Sequence, residues 1–187
     1  MVYGCVNAQR GGLICDLGNV IIAYWLSSIT LNTFHAVDYD KIPEVPDAFE
    51  ILRRLAALFE GNITVVYNAT DVAENKISGW LLHHKFSERT GIPSSRIVRS
   101  KRGRDKTLYL NQSSASFCGT TIVVDDRLEV LGHFIGKVPY LFLFRPQKAE
   151  LAQFNKSGAL NRVQVVRTWG EILDFVQRLT PDQGHPP

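Results

Sequence analysis

The sequence has few cysteines, no long apolar run and little net charge, and each shortage excludes a class of protein. Three cysteines, Cys5, Cys15 and Cys118, leave one unpaired in any disulfide scheme and lack metal-binding spacing, so we expect a reducing, cytoplasmic compartment. No apolar run is as long as a membrane span, and residues 1–10 lack the basic and apolar regions of a secretory signal. The net charge of +3 is too small by itself to indicate nucleic-acid binding.

What is present indicates one globular domain. With 187 residues, 45% of them hydrophobic, the chain can bury a substantial core. Apolar strand-like runs alternate with segments of helical periodicity, which predicts an α/β fold: a Rossmann-like three-layer sandwich with a mainly parallel sheet. We expect a single domain over residues 1–187, with its core at about 12–180 and a disordered tail at about 181–187.

Local patterns predict the individual elements. Strands are expected up to Asp16 and at residues 63–67, 97–98, 121–126, 138–144 and 163–166. Helices are expected at residues 46–59, 71–84, 127–134 and 168–179, with a turn region at 86–92. The aromatic-rich residues 20–45 are expected to form a short flap over the mouth of the site.

Two of the predicted strands end in carboxylates. Asp16 ends the first strand, and Asp125 and Asp126 end the run that begins at Thr121. If these strands are parallel neighbours, their carboxylates meet at the sheet edge where open α/β sheets bind ligands. Such a cluster repels itself, so we expect a cation, most simply Mg²⁺, among them. The alternative for Asp16 is a structural role in which its side chain caps the following turn.

Residues 96–106 form the most basic stretch of the chain. Its cations include Lys101, Arg102 and Lys106. Such a run is typical of a solvated loop, but in a doubly wound sheet one or two of its side chains would lie beside the carboxylates.

The order of these motifs resembles that of the haloacid dehalogenase (HAD) superfamily of phosphohydrolases, over about residues 12–180. Four motifs match in order: the nucleophile at Asp16, the second motif at Val65–Asn68, the stabilising lysine at Lys106 and the acidic motif at Asp125–Asp126. A weaker local likeness is to small bacterial HAD domains similar to RNA-repair phosphatases, over Pro46–His84, Arg89–Pro93 and Asp125–Leu131.

The resemblance implies a Mg²⁺-dependent phosphatase that forms an aspartyl-phosphate on Asp16. It implies a magnesium site formed by Asp16, the Gly18 carbonyl and Asp126, with Asp125 as an outer or water-mediated ligand. Lys106 would neutralise charge on the nucleophile and on the transferring phosphoryl group. Asn68 or Thr70 would supply further hydrogen-bond donors to the phosphate.

Two positions depart from the family pattern. Gly18 stands where the family usually has a second aspartate that protonates the leaving group, and Tyr67 stands where it usually has serine or threonine. Both losses affect catalysis rather than binding. The alternative function is therefore a catalytically weakened module that binds a phosphorylated ligand or a protein partner.

The spacing of the motifs also bears on substrate size. Residues 20–45 and 67–106 are too short for the cap domain that HAD proteins with small substrates generally carry. We therefore expect a large or polyanionic substrate, such as a nucleic-acid end or a phosphoprotein, with Lys101 and Arg102 contacting it. A homo-oligomer in which a neighbouring subunit covers the site is the other expectation.

Overall fold

The computed structural model describes residues 11–26, 38–100, 106–107, 121–148, 151–152 and 162–179. The six strands are β1 (Gly12–Cys15), β2 (Ile63–Asn68), β3 (Ile97–Ser100), β4 (Thr121–Asp125), β5 (Tyr140–Phe144) and β6 (Gln164–Val166). The helices are α1 (Ala48–Leu58), α2 (Asp71–His83), α3 (Phe86–Thr90), α4 (Leu128–Gly132) and α5 (Trp169–Leu179).

All six strands belong to one parallel sheet with the order β3-β2-β1-β4-β5-β6. This is the doubly wound order, in which the chain first adds strands on one side of β1 and then on the other. The prediction of a Rossmann-like α/β fold with a parallel sheet is confirmed.

Alternate residues of the central strands face opposite layers. Leu13 and Cys15 of β1 lie in the larger apolar cluster, which includes buried side chains of α1, α2 and α5, whereas Ile14 lies in the smaller cluster with Leu131 and Phe134. This alternation follows from the two-residue period of a strand. Because both faces are covered, the strands consist of nearly continuous apolar residues. No helix within the described ranges combines the length and apolar composition of a membrane span.

The two ends of the predicted flap pack into the core. Residues 20–23 are almost completely buried, and the N–H of Ala23 donates to the carbonyl of Pro43 over 2.9 Å. The N–H of Val45 donates to the carbonyl of Ile21 over 2.7 Å, so both ends of this connection are joined to each other. These ends are buried because their side chains are apolar, and the flap over the site stays a prediction. Its middle, residues 27–37, lies outside the described residues.

Two element boundaries differ from the prediction for local reasons. Asp47 has a left-handed backbone (φ 63°), so α1 begins at Ala48 rather than at Pro46. The predicted turn region at residues 86–92 contains the one-turn helix α3, which ends at Gly91 (φ 76°). Phe86 anchors this helix, since its ring packs edge-on against Phe49 with centroids 5.2 Å apart.

The predicted capping box at the last helix is confirmed. The N–H of Glu171 donates to the hydroxyl oxygen of Thr168 over 3.3 Å, and the carboxylate of Glu171 accepts from the N–H of Arg167. The first bond satisfies a donor of the first turn of α5, and the second ties Glu171 to the residue before Thr168. Trp169 then anchors the helix, because its indole N–H donates to the carbonyl of Val20 over 2.8 Å.

Candidate active site

The candidate site lies at the carboxyl ends of β1 and β4, where the strand order reverses. A pocket of about 240 Å³ opens there. The N–H of Asp16 donates to the carbonyl of Val124 over 2.9 Å, which extends the pairing of the two strands by one residue. This bond fixes Asp16 beside Asp125, as expected for the reversal point of a doubly wound sheet.

Lys106 joins the two strand ends electrostatically. Its Nζ lies 2.6 Å from Oδ1 of Asp16 and 2.8 Å from Oδ2 of Asp125. The lysine side chain is 6% exposed, that of Asp125 2% and that of Asp16 14%, so Asp16 has the most access to solvent. Burial alone would lower the pKa of Lys106, but the charges of both carboxylates outweigh it and raise that pKa above its ordinary value.

Hydrogen bonds within the protein hold the carboxylate of Asp125 in place. Its Oδ2 accepts from Lys106, and its Oδ1 accepts from the backbone N–H of Arg127 over 3.0 Å. Burial, together with the nearby charge of Asp16, raises the pKa of Asp125, while Lys106 opposes that change. Both oxygens of this carboxylate therefore have partners within the protein.

Asp126 is oriented by Asn19. The side-chain Nδ2 of Asn19 donates to Oδ2 of Asp126 over 2.8 Å. Asn19 has a left-handed backbone (φ 57°), which asparagine tolerates better than most residues. Burial and the charge of Asp16 raise the pKa of Asp126 to about 6, and the bond from Asn19 partly opposes this.

The three carboxylates fit a divalent cation. Asp16, Asp125 and Asp126 each offer an oxygen, and these oxygens lie within 4.8 Å of one another. Three negative charges against the one positive charge of Lys106 leave two negative charges in a largely buried cluster. Oxygen donors with this excess charge match the preference of Mg²⁺.

The ring of Tyr24 occupies the space beside Gly18. A Cβ atom added to Gly18 would lie 3.0 Å from Cε2 of Tyr24 and 3.7 Å from Oδ2 of Asp16. Tyr24 lines the pocket, and its ring packs edge-on against Tyr39 with centroids 6.1 Å apart. Burial, followed by the effects of Tyr39 and Asp16, raises the pKa of Tyr24 above its ordinary value.

Comparisons with solved structures match almost the whole chain. A D,D-heptose 1,7-bisphosphate phosphatase from B. bronchiseptica, solved with magnesium and phosphate, has a TM-score of 0.62 and 14% identity over 90% of this chain and 99% of its own. The same enzyme from Burkholderia thailandensis has a TM-score of 0.54 and 16% identity over 89% and 99%. A haloacid dehalogenase-like hydrolase from Burkholderia xenovorans has a TM-score of 0.62 and 11% identity over 91% and 98%.

The chain has the haloacid dehalogenase fold. The predicted resemblance to that superfamily is thereby confirmed at the level of the fold. No protein-family model and no curated protein sequence matches the chain.

The HAD fold brings most of the predicted site residues into one pocket. The members that line it are Asp16, Gly18, Asn68, Lys106, Asp125 and Asp126. Thr70 instead begins α2, where its hydroxyl oxygen accepts from the N–H of Ala73 over 3.4 Å. Lys101 and Arg102 lie outside the described residues.

Arg99, from the same basic stretch, stabilises the second-motif loop. Its guanidinium pairs with Asp71 at 2.6 Å and also with Glu74. Its Nε donates to the carbonyl of Ala69 over 3.1 Å. These bonds connect β3 to the loop that follows Asn68, so Arg99 supports the pocket wall.

Sequence reasoning missed Asn19 and Tyr24 as members of the site. Asn19 was visible only as half of the Gly-Asn turn after the first motif. Tyr24 was visible only as part of an aromatic-rich connection. A polar residue in the turn directly after a strand-end aspartate is the signal that could have led to Asn19, whereas no local signal indicates where the ring of Tyr24 lies.

Proposed function

We propose that the chain is a Mg²⁺-dependent phosphohydrolase in which Asp16 is the nucleophile. The observation that carries this proposal is the pairing of Lys106 with both Asp16 and Asp125, with Asp126 in the same cluster. This set combines a partly exposed carboxylate, a buried cation and further oxygen ligands at the ligand-binding edge of the sheet. The HAD fold supports the same chemistry.

In the first step, an oxygen of Asp16 attacks phosphorus. A bond forms between that oxygen and phosphorus as the bond to the leaving-group oxygen breaks, and the leaving oxygen keeps the electron pair. In the second step, water attacks the aspartyl-phosphate, which releases phosphate and regenerates Asp16. Lys106 holds Asp16 in place through the 2.6 Å contact and compensates negative charge on the phosphoryl oxygens.

Asp16, the Gly18 carbonyl and Asp126 would hold Mg²⁺, with Asp125 as an outer ligand. Bound Mg²⁺ supplies positive charge that offsets the repulsion between the carboxylate and the incoming phosphate. Asn19 maintains the orientation of Asp126 by donating to its Oδ2. We propose that Asn68, which lines the pocket, donates to a phosphate oxygen, with Thr70 as the second donor.

The size of the pocket favours a substrate of which only one end enters. A volume of about 240 Å³ is small beside ordinary small-molecule sites, which hold about 300–1,000 Å³. We propose that the phosphorylated end enters while the rest of a larger molecule, a phosphoprotein or a nucleic acid, stays outside. Contacts from Lys101 and Arg102, or a second copy of the chain over the mouth, remain part of this proposal.

The second candidate is a module that binds phosphorylated ligands without turning them over. The specific observation in its favour is the space beside Gly18, which the ring of Tyr24 occupies in place of an acid. Loss of a general acid typically costs a factor of about 10²–10⁴ in rate.

Hydrolysis of p-nitrophenyl phosphate with Mg²⁺ tests the proposal. Its leaving group needs no protonation, so the wild-type protein should turn it over, whereas the isosteric variant Asp16→Asn should not. Acid-stable trapping of the phosphorylated intermediate, with its release by hydroxylamine, would identify an acyl phosphate on Asp16. Binding of Mg²⁺ and orthophosphate without turnover would contradict the enzyme and favour the binding module.

A further inference from the structure

Within the described part of the chain, the side of the pocket at residue 18 offers no acid to protonate the leaving group of an ordinary alkyl phosphate. Residue 18 has no side chain, and Tyr24 occupies the space into which one would extend. Among the residues that the structure describes, the carboxyl groups that line the pocket are Asp16, Asp125 and Asp126. Asp16 is the nucleophile of the proposed reaction, and the other two are held by Lys106, Arg127 and Asn19.

We propose that this site is selective for aryl phosphates, because their phenolic leaving group departs without a proton from the protein and packs against the ring of Tyr24. This inference rests on the proposed phosphohydrolase function and names the substrate class of that same site.

The leaving group of an aryl phosphate differs from that of an alkyl phosphate in the stability of its anion. When the bond between phosphorus and the leaving oxygen breaks, that oxygen takes the electron pair and needs either a proton or an intrinsically stable anion. A phenol such as the tyrosine side chain ionises at a pKa of about 10, whereas an aliphatic alcohol remains protonated in any ordinary buffer. An aryl phosphate can therefore release a phenolate, which takes its proton from bulk water afterwards.

Tyr24 contributes its ring to this selectivity. A phenol is a far weaker acid than the carboxylic acid that the family resemblance implies at residue 18, so its hydroxyl is a poor substitute for that acid. What the ring provides is an aromatic wall beside Asp16, and Tyr67 also lines the pocket. Aromatic groups favour offset or edge-on contacts with another ring, so a planar leaving group fits this wall.

A leaving-group series provides the test. The value of kcat/KM is measured with Mg²⁺ for two groups of phosphate esters. The aryl esters are those of p-nitrophenol, phenol and tyrosine in a short peptide. The alkyl esters are those of simple alcohols, together with a 5′-phosphorylated oligonucleotide. For the wild-type protein we expect kcat/KM to fall by about 10²–10⁴ from the phenyl to the alkyl esters, the typical contribution of a missing acid. Comparable rates on alkyl and aryl esters would overturn the inference while leaving the phosphohydrolase intact.

Two variants distinguish the contribution of the Tyr24 ring from those of its hydroxyl and of the missing acid. Tyr24→Phe keeps the ring and should keep the whole leaving-group dependence, whereas a selective loss on alkyl esters would show that the hydroxyl acts as an acid and would overturn the inference. The double variant Gly18→Asp with Tyr24→Ala provides space for a carboxylic acid and should narrow the gap between aryl and alkyl esters. No turnover of any ester by the wild-type protein, with Mg²⁺ bound, would overturn the proposed function and this inference with it.

Discussion

Asn19 donates a 2.8 Å hydrogen bond to Asp126, although 107 positions separate the two residues in the chain. The bond crosses from the turn after β1 to the end of β4. Both residues therefore reach the site on the loops that follow neighbouring strands, and the amide fixes the orientation of the proposed metal ligand.

Removing this amide should weaken metal binding more than it weakens folding. Asn19→Gly removes the donor and accepts the left-handed backbone at this position, since glycine adopts positive φ without strain. We expect Mg²⁺ affinity to fall by about 10- to 100-fold, the usual effect of losing a residue that orients a ligand. Isothermal titration calorimetry measures it, with exposed Asn75→Ala as the control. Unchanged affinity would exclude this role for Asn19.

Removing the buried cation should destabilise the protein strongly. Lys106→Met leaves Asp16 and Asp125 facing each other without compensation, which we expect to cost about 3–5 kcal/mol at pH 7. The loss should be smaller at pH 5, because burial raises the pKa of Asp125 and lets its carboxylate take up a proton there. Urea denaturation at the two pH values measures the difference. The exposed Lys137→Met is the matched control, and an equal loss in that variant would contradict the prediction.

Stabilisation by Mg²⁺ should increase with pH. The pKa of Asp126 is raised to about 6 in the folded protein, above its value of about 3.9 in the unfolded chain. Without metal, the folded state therefore binds more protons between about pH 4 and 6, so the stability from this group is present at low pH and is lost as pH rises through 6. Mg²⁺ competes with those protons.

The measurement is the increase in Tm on adding Mg²⁺ at pH 5, 6, 7 and 8. We expect a small increase at pH 5 and the full increase at pH 8, where the proton no longer competes. Asp126→Asn should remove most of the effect at every pH. The same increase in Tm at all four pH values would contradict a site formed by these carboxylates.

Gly18 and Tyr24 should be energetically coupled. The methyl group of Gly18→Ala would lie 3.0 Å from the ring, which is closer than side chains normally pack. We expect that variant to lose about 1–3 kcal/mol through overpacking. In a Tyr24→Ala background the same change should cost much less, and urea denaturation of the four proteins gives the coupling energy. Additive effects would show that the ring does not restrict residue 18.

The same contact changes the expectation for an acid at position 18. From the sequence alone, Gly18→Asp restores the missing carboxylic acid and should raise activity toward poor leaving groups. In the structure, the space for that side chain is occupied by Tyr24, so the single variant must first displace the ring. The gain is therefore expected only when Tyr24 is also shortened.

The amino-acid sequence by itself determined the order of strands and helices and the carboxylates at the ends of β1 and β4. These features depend on local periodicity and on apolar runs, and both are set by residues that are close together in the chain. The lysine of the site was also predicted, because the order of the motifs along the chain resembles that of a known family. The capping box at Thr168 is equally local, and it formed as predicted.

Only the tertiary structure decided what surrounds those carboxylates. The bond from Asn19 to Asp126, the ring of Tyr24 beside Gly18 and the pairing of Arg99 with the start of α2 all join residues that are distant in sequence or separated by a turn. Such contacts depend on how strands are ordered in the sheet and where side chains find space in the packed layers. Residues 20–23 are an example. Their apolar side chains are buried in the core, and the next residue, Tyr24, lies at the pocket beside Asp16.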